Sequence, residues 1–304
     1  MAAVICGSLA FDTIMTFEGR FAEQILPEQL HILNVSFLVP ALRRDFGGCA
    51  GNIAYGLKLL GGDPLPMATV GSDGYGYIAR MQSLGISTEY VREVDETYTA
   101  QAMIMTDRDN NQITAFHPGA MMHAHVTRID ARPDVKLGII SPDGREAMVV
   151  HAAQFAAANI PFVFDPGQGL PMFDGRELAA FIDQATWVTV NDYEGKMLCE
   201  RTGWSPAQIS QRVEGLVVTL GHDGCEVWIR GEKTVVPAVK AHEVVDPTGC
   251  GDAWRSALLY GLEQGWPLER CAVLGNRVGA IKIASRGPQN YTLDGLGPAA
   301  VARQ

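Results

Sequence analysis

The amino-acid sequence predicts an α/β protein: a doubly wound, mostly parallel sheet with helices on both faces, carrying a small β-sheet lid. Three observations predict it. Short apolar runs recur at 4–6, 137–140, 162–164, 187–190 and 216–219, the pattern of strands buried on both faces. Amphipathic stretches at 51–60, 75–84, 144–158, 175–184 and 205–212 alternate with them, and strand–helix–strand succession implies right-handed crossovers. Two regions, 13–42 and 90–117, fit no strand–helix unit.

Along the chain, run 4–6 ends at Gly7 and opens the sheet. Residues 13–42 hold few turn residues and several β-branched or aromatic positions, so they read as extended. Helices are expected at 51–60, after a glycine-rich turn, and at 75–84. In 90–117, the strand-like runs 97–106 and 112–117 flank the polar spacer Asp107-Arg108-Asp109-Asn110-Asn111, which predicts a β-hairpin. The remaining strands and helices alternate to 219. A strand-like stretch at 235–245 then leads into a helix running to about residue 263. This divides the chain into a large domain (1–12, 43–89 and 118–304) and a lid (13–42 and 90–117). A sheet with one apolar face needs cover, so the lid is expected to close over a ligand or to form the contact of a homodimer.

Composition bounds the function. The 304 residues carry 24 basic and 34 acidic side chains, a net charge of −10, with only six lysines and one adjacent basic pair, Arg43-Arg44. That excludes the basic stripe that nucleic-acid binding needs. No apolar stretch is long enough for a membrane span, and the first strand follows the initial Met with no basic leader, so a cytoplasmic protein is expected. Six scattered cysteines without a C-x-x-C indicate reduced thiols, and the lone H-x-H at His123 and His125 reads as a polar loop rather than a zinc site. The 33 glycines are about 11% of the chain against an average of about 7%, and they form no collagen repeat.

Several nucleotide and hydrolase signatures fail. Asp45-Phe46-Gly47 matches the kinase D-F-G but lacks an H-R-D before it. No lysine stands in a Walker P-loop, no G-x-G-x-x-G opens a helix near the N-terminus, and no G-x-S-x-G elbow exists. The segment that carries chemistry is Asp246-Pro247-Thr248-Gly249-Cys250-Gly251-Asp252-Ala253. Glycines at a helix N-terminus let backbone amides converge on an anion, helped by the helix dipole. Asp252 then sets a carboxylate beside that anion, as a general base for phosphoryl transfer to an alcohol requires. Read alone, the same residues also suit a tight turn with a helix-terminal carboxylate. A second glycine-rich element, Gly47-Gly48-Cys49-Ala50-Gly51-Asn52, permits close approach to a ligand and offers the Asn52 amide to hydroxyls. Asp12, beyond the first strand, suits a vicinal diol, or a loop cap.

Together these segments resemble the ribokinase-like, PfkB-type family of carbohydrate and nucleoside kinases. The G-G-x-x-x-N-x-A…L-G stretch at 47–61 resembles its first motif and D-P-T-G-C-G-D-A at 246–253 its second. Val70-Gly71-Ser72-Asp73-Gly74-Tyr75-Gly76, Asn191-Asp192-Tyr193-Glu194 and Thr219-Leu220-Gly221-His222-Asp223-Gly224 resemble further family elements, in family order. The resemblance implies Asp252 as the base and Gly249, Cys250 and Gly251 as the anion hole, with Cys250 where the family usually has Ala. It implies that Asn191 and Glu194 act through water on Mg²⁺ and phosphates, and that Thr219, Gly221 and Gly224 line the ATP site, with Asn276 near adenine or ribose. Asp12, Gly48 and Asn52 would grip the acceptor. Some relatives also need a monovalent cation such as K⁺, which would lie near Asp246 and the 285–290 loop.

The run from Asp107 to Met121 resembles the lid of adenosine-kinase-like members, and Asp165-Pro166-Gly167-Gln168 resembles their D-P-[SG]-Q segment. A purine needs a flat apolar surface, which Phe116, Met121 and Phe37 would supply, while Gln168 would read a base edge or cap a loop. The expectation is an ATP- and Mg²⁺-dependent kinase of a nucleoside 5′-hydroxyl, adenosine first. A ribokinase- or fructokinase-type sugar kinase and a non-catalytic nucleoside sensor are the alternatives.

Overall fold

The computed structural model describes residues 2–25, 32, 34–129 and 134–296; the rest of the expected lid stretch 13–42, and residues 1, 130–133 and 297–304 of the expected large domain, lie outside the described residues. In chain order the elements are β1 (Ala2–Cys6), β2 (Ala10–Thr16), α1 (Phe21–Gln24), β3 (Ala41–Gly47), α2 (Cys49–Leu59) and β4 (Asp63–Gly71). Then come α3 (Tyr75–Ser83), β5 (Val91–Val94), β6 (Ala100–Thr106), β7 (Gln112–His117), β8 (Val135–Ile140), α4 (Arg145–Ala157) and β9 (Phe162–Phe164). The remainder are α5 (Gly175–Gln184), β10 (Trp187–Asn191), α6 (Asp192–Thr202), α7 (Pro206–Ser210), β11 (Gly215–Thr219), β12 (Cys225–Ile229), β13 (Glu232–Val236), α8 (Cys250–Glu263) and α9 (Leu268–Lys282).

The main sheet runs β13-β12-β11-β10-β9-β8-β1-β4-β5, parallel except for β12, which is antiparallel to both its neighbours. β1 lies between β4 and β8, so the strand order reverses there, and a crevice opens at the carboxyl ends of those strands. The apolar runs are buried on both faces, as their composition demands. Ala3 and Ile5 pack with Ile53 of α2 and Leu258 of α8, while Val4 and Cys6 pack with Phe155 of α4 and Phe181 of α5. Helix starts are set by local chemistry: Asp174 with Glu177, Asn191 with Glu194 and Ser205 with Gln208 each form a capping box, before α5, α6 and α7.

The lid is a four-stranded sheet, β3-β2-β6-β7, with β2 and β6 parallel and the outer pairs antiparallel. The 107–111 spacer forms the expected hairpin turn. Asp107 accepts from the amides of Phe21 (3.0 Å), Asp109 (2.9 Å) and Asn111 (2.9 Å), and Asn110 takes a left-handed φ of 62°. The expected boundaries at 12/13 and 42/43 fall inside β2 and β3, because only residues 7–9 separate β1 from β2 and only Gly48 separates β3 from α2. Val91–Val94 pairs with β4 at the edge of the main sheet, outside the lid. Phe37 is engaged edge-on by Phe17 and Phe21, at centroid distances of 5.0 and 5.2 Å, so it packs within the lid instead of offering a face to a base.

The stretch 235–245 is a strand only to Val236. Pro237 cannot donate to a ladder, β13 is already the sheet edge, and Val239, Val244 and Val245 are exposed. His123 and His125 lie in a 3-10 turn (Gly119–Val126), and among the described residues no group of three or more metal-ligating side chains occurs. No described helix is long and apolar enough to cross a membrane.

Gly138 sits in the middle of β8, directly beneath the Phe155 ring, which stacks on Phe162 at 5.4 Å. A methyl group there must displace the ring. Gly138→Ala should lower unfolding free energy by about 1–3 kcal/mol in urea titration; an unchanged midpoint would contradict this packing.

Candidate active site

At the carboxyl edge of the sheet, two helices begin close together. α2 starts after Gly48, whose φ of 85° and proximity to the Ser8 carbonyl and the Ala10 amide leave no room for a side chain. α8 starts after Gly249, in the left-handed region at φ 77°. Its first-turn amides have no carbonyl partner within the helix. The expected anion hole falls at this helix start. The Cys250 amide is taken by the Pro247 carbonyl at 3.1 Å, so the amides of Gly251 and Asp252 are the donors left at the helix start.

Asn52 of α2 donates its Nδ2 to Oδ2 of Asp252 at 2.8 Å. The Oδ1 of Asn52 accepts from Gln289 at 3.0 Å, Gln289 also donates to the Tyr77 hydroxyl at 2.7 Å, and Tyr77 donates to the Gly47 carbonyl at 2.6 Å. Asn52, expected to grip an acceptor, orients the Asp252 carboxylate with one of its two Nδ2 hydrogens. Gly51 lies against the Tyr77 hydroxyl, which explains why this helix position carries no side chain. Burial pushes the Asp252 pKa up to about 6, against the Asn52 donor that favours the charged form. Such a group is ionised at neutral pH yet basic enough to accept a hydroxyl proton.

Asp12 is on β2, in the lid, with its carboxylate against Gly47. Its pKa is also pushed up to about 6, by burial and then by Asp45, Asp252 and Asp246, with Arg43 opposing. In register, Asp12 stands opposite Ala102 of β6, and Ala102 opposite Phe116 of β7. Directly paired residues share a face, so these three side chains form one row across the lid. Phe116 is 54% exposed along that row.

The other expected residues divide. Asn191 and Glu194 form the capping box that opens α6 at the end of β10. Oε2 of Glu194 accepts from the Asn191 amide at 2.8 Å and lies 3.8 Å from Arg255, and burial followed by Asp165 raises its pKa. Thr219 closes β11, donating to the Val190 carbonyl at 3.4 Å, and Gly221 and Gly224 bracket the turn after it. Asn276 is consumed structurally: it accepts from the Trp254 indole at 3.0 Å and donates to the Val236 and Pro237 carbonyls. Gln168 is exposed in a 3-10 turn (Gly167–Met172), apart from the hydrogen-bonded group around Asp252.

Sequence reasoning missed the residues that support this group. Arg255 forms a buried bidentate ion pair with Asp165 at the end of β9 and donates to the Gly251 carbonyl at 3.2 Å. Asp73, in the Val70–Gly76 stretch, binds the lid down: it accepts from the Thr99 amide (2.7 Å), Arg44 (3.0 Å) and Gln101 (3.2 Å). Spacing from α8 would have flagged Arg255, one helical turn after Gly251; the partners of Asn52 left no local signal.

The sequence matches the pfkB family of carbohydrate kinases over residues 18–294. A nucleoside kinase of Burkholderia thailandensis, solved in complex with inosine, is 54% identical. The match covers 95% of this chain and 93% of that one, with a TM-score of 0.85. The same enzyme in complex with ADP-inosine superposes with a TM-score of 0.83. The Methanocaldococcus jannaschii nucleoside kinase is 30% identical over 95% of this chain and 93% of its own length. An Arabidopsis thaliana ribokinase, 20% identical over the full length of both chains, shares the fold at a TM-score of 0.77.

The folded protein holds the Asp252 proton more tightly than the unfolded chain does. Its stabilising contribution is therefore complete below the ordinary carboxylate pKa of 3.8 and is lost as pH rises through about 6. Asp252→Asn should accordingly raise the unfolding midpoint relative to wild type at pH 8 and have little effect at pH 4. The opposite ordering in thermal melts would show that burial does not disfavour the charged form of this carboxylate.

Proposed function

As the chain belongs to the pfkB family of carbohydrate kinases, we propose that it transfers the γ-phosphoryl group of ATP to the 5′-hydroxyl of a purine ribonucleoside, adenosine or inosine. The Asp12–Ala102–Phe116 row carries this reading. Neighbouring strands lie about 4.8 Å apart, so Phe116 stands roughly 10 Å from Asp12, which suits a ribose at one end and a base at the other. The small Ala102 leaves the space between them open. A bare pentose would leave Phe116 without a partner. The 54% identity to an enzyme solved with inosine supports the same acceptor class.

In this reading Asp12 accepts hydrogen bonds from the ribose hydroxyls and holds the 5′-hydroxyl toward Asp252. Asp252 takes the proton as that oxygen bonds to the γ-phosphorus, and the bond from this phosphorus to the β–γ bridging oxygen breaks. The amides of Gly251 and Asp252, at the positive end of α8, hold the charge on the transferring group. ADP leaves along the turn bracketed by Gly221 and Gly224, whose wall Asn276 braces through the 236–237 carbonyls. Oε2 of Glu194 is committed to its helix cap, which leaves Oε1 to hold a hydrated Mg²⁺ with Asn191. Mg²⁺, when bound, neutralises the phosphate oxygens. The six unpaired cysteines suit a reducing, cytoplasmic setting.

A coupled ATP-consumption screen across nucleosides and free sugars tests the assignment: purine nucleosides should be turned over fastest, and a preference for ribose or fructose would refute it. Asp252→Asn should lower kcat by about 10²–10⁴-fold with nucleoside affinity nearly intact. Normal turnover by this variant would remove Asp252 from the chemistry. Phe116→Ala should raise KM for adenosine and inosine roughly tenfold, a stacking loss of the usual size, and leave turnover of ribose as it was. Equal effects on both acceptors would mean that the ring packs the lid only.

A further inference from the structure

The monovalent cation that the resemblance places beside Asp246 and the 285–290 loop does not fit the residues found there. Lys282, in the last turn of α9, is 0% exposed. Its Nζ donates to the Asp246 carbonyl at 2.7 Å and to the Ser285 carbonyl at 3.2 Å. The loops that carry these carbonyls are laced together around it. The amides of Val245 and Asp246 donate to the Ile283 carbonyl at 2.9 and 3.1 Å, and the Gly287 amide donates to Oδ2 of Asp246 at 2.9 Å. That same carboxylate oxygen lies 3.5 Å from Arg43, so a second chain-borne cation already faces it. Inward-turned backbone carbonyls are what a dehydrated monovalent cation requires. An ammonium with three donors and no acceptor meets the same requirement.

The position matters because Asp246 begins the loop that sets the start of α8. Its Oδ1 accepts from the Thr248 amide at 2.9 Å, and its backbone carbonyl, the one Lys282 grips, precedes the Pro247–Cys250 turn. Burial draws the Lys282 pKa below the ordinary lysine value, while Cys250 and the Asp246 carboxylate pull it back up.

We propose that the Lys282 ammonium takes the place of a monovalent cation, as a tethered charge that holds the 246–252 loop in its anion-binding shape and makes the protein independent of K⁺. Lys282 is then a positioning residue that acts through Asp246 on the amides of Gly251 and Asp252. This rests on the phosphotransferase reading of that loop.

The test exchanges KCl for tetramethylammonium chloride at fixed ionic strength, and follows kcat, thermal stabilisation by Mg·ADP, and Tl⁺ binding by ²⁰⁵Tl NMR. Wild type should keep kcat and ADP stabilisation within twofold and show no bound Tl⁺. Lys282→Met should lose at least tenfold in kcat and ADP affinity in tetramethylammonium, recover severalfold in K⁺ or NH₄⁺, and bind Tl⁺. A tenfold K⁺ activation of wild type, Tl⁺ bound by wild type, or a Lys282→Met loss that no cation restores would each overturn the proposal. Should that variant fail to fold, the wild-type K⁺ and Tl⁺ arms decide alone. Absence of phosphotransfer to any acceptor would defeat the kinase reading, whereas Tl⁺ bound by wild type defeats only the tethered cation.

Discussion

The hydrogen bond from Asn52 to Asp252 joins side chains 200 residues apart, and the rest of the site is arranged around it. It ties the first turn of α2 to the first turn of α8, the two helix starts that face the crevice between β1 and β8. Each partner is itself held: Gln289 fixes Asn52, Tyr77 fixes Gln289, and the Gly47 carbonyl takes the Tyr77 proton. A hydrogen bond to a charged group is worth about 1.5–3 kcal/mol, and leaving a buried partner unpaired costs a similar amount. The relay therefore fixes one rotamer of the carboxylate, and it runs from Asp252 to Gly47, where the lid strand β3 ends before α2.

Electrostatics sets the second condition. The crevice gathers Asp12, Asp45, Asp165, Glu194, Asp246 and Asp252, yet in the reading favoured above it must admit a polyanion. No exposed lysine cluster offsets them. The balancing cations, Arg43, Arg255 and Lys282, are each tied to carboxylates or carbonyls of the chain, so they shape loops and leave ligand contact to backbone amides. A buried pair such as Arg255 with Asp165 adds little net stability, but removing one partner is severe, about 3–5 kcal/mol.

Much of this was legible in the residues. The central strands announced themselves because burial on both faces forces an apolar composition, and Asp252 drew notice because it follows two glycines at a helix start. What local pattern could not show were contacts made by distant segments. Gln289 and Tyr77 look like ordinary surface and core residues until the relay brings them to Asn52. Asn276 has the right type for a ligand contact, but the Trp254 indole and two carbonyls claim it. The 235–245 stretch has the valines of a strand and no neighbour left to pair with. Asp12, expected just beyond the first strand, lies on β2 of the lid, since only residues 7–9 separate that strand from β1.

The place of Asp12 on β2 has a thermodynamic consequence. A lid hinged on a separate loop can open and close while the ligand waits. Here Asp12 rides on the lid strand itself, and Asp73 clamps that sheet through Arg44, Thr99 and Gln101. Seating an acceptor on Asp12 and closing the sheet over the crevice would therefore be a single equilibrium, so the free energy of closure would be contained in every measured acceptor affinity. A small alcohol or water, lacking the hydroxyl pair to engage Asp12, would leave the equilibrium where it stood. Discrimination against the solvent would then be a property of where Asp12 is placed in the chain, and would need no gate of its own.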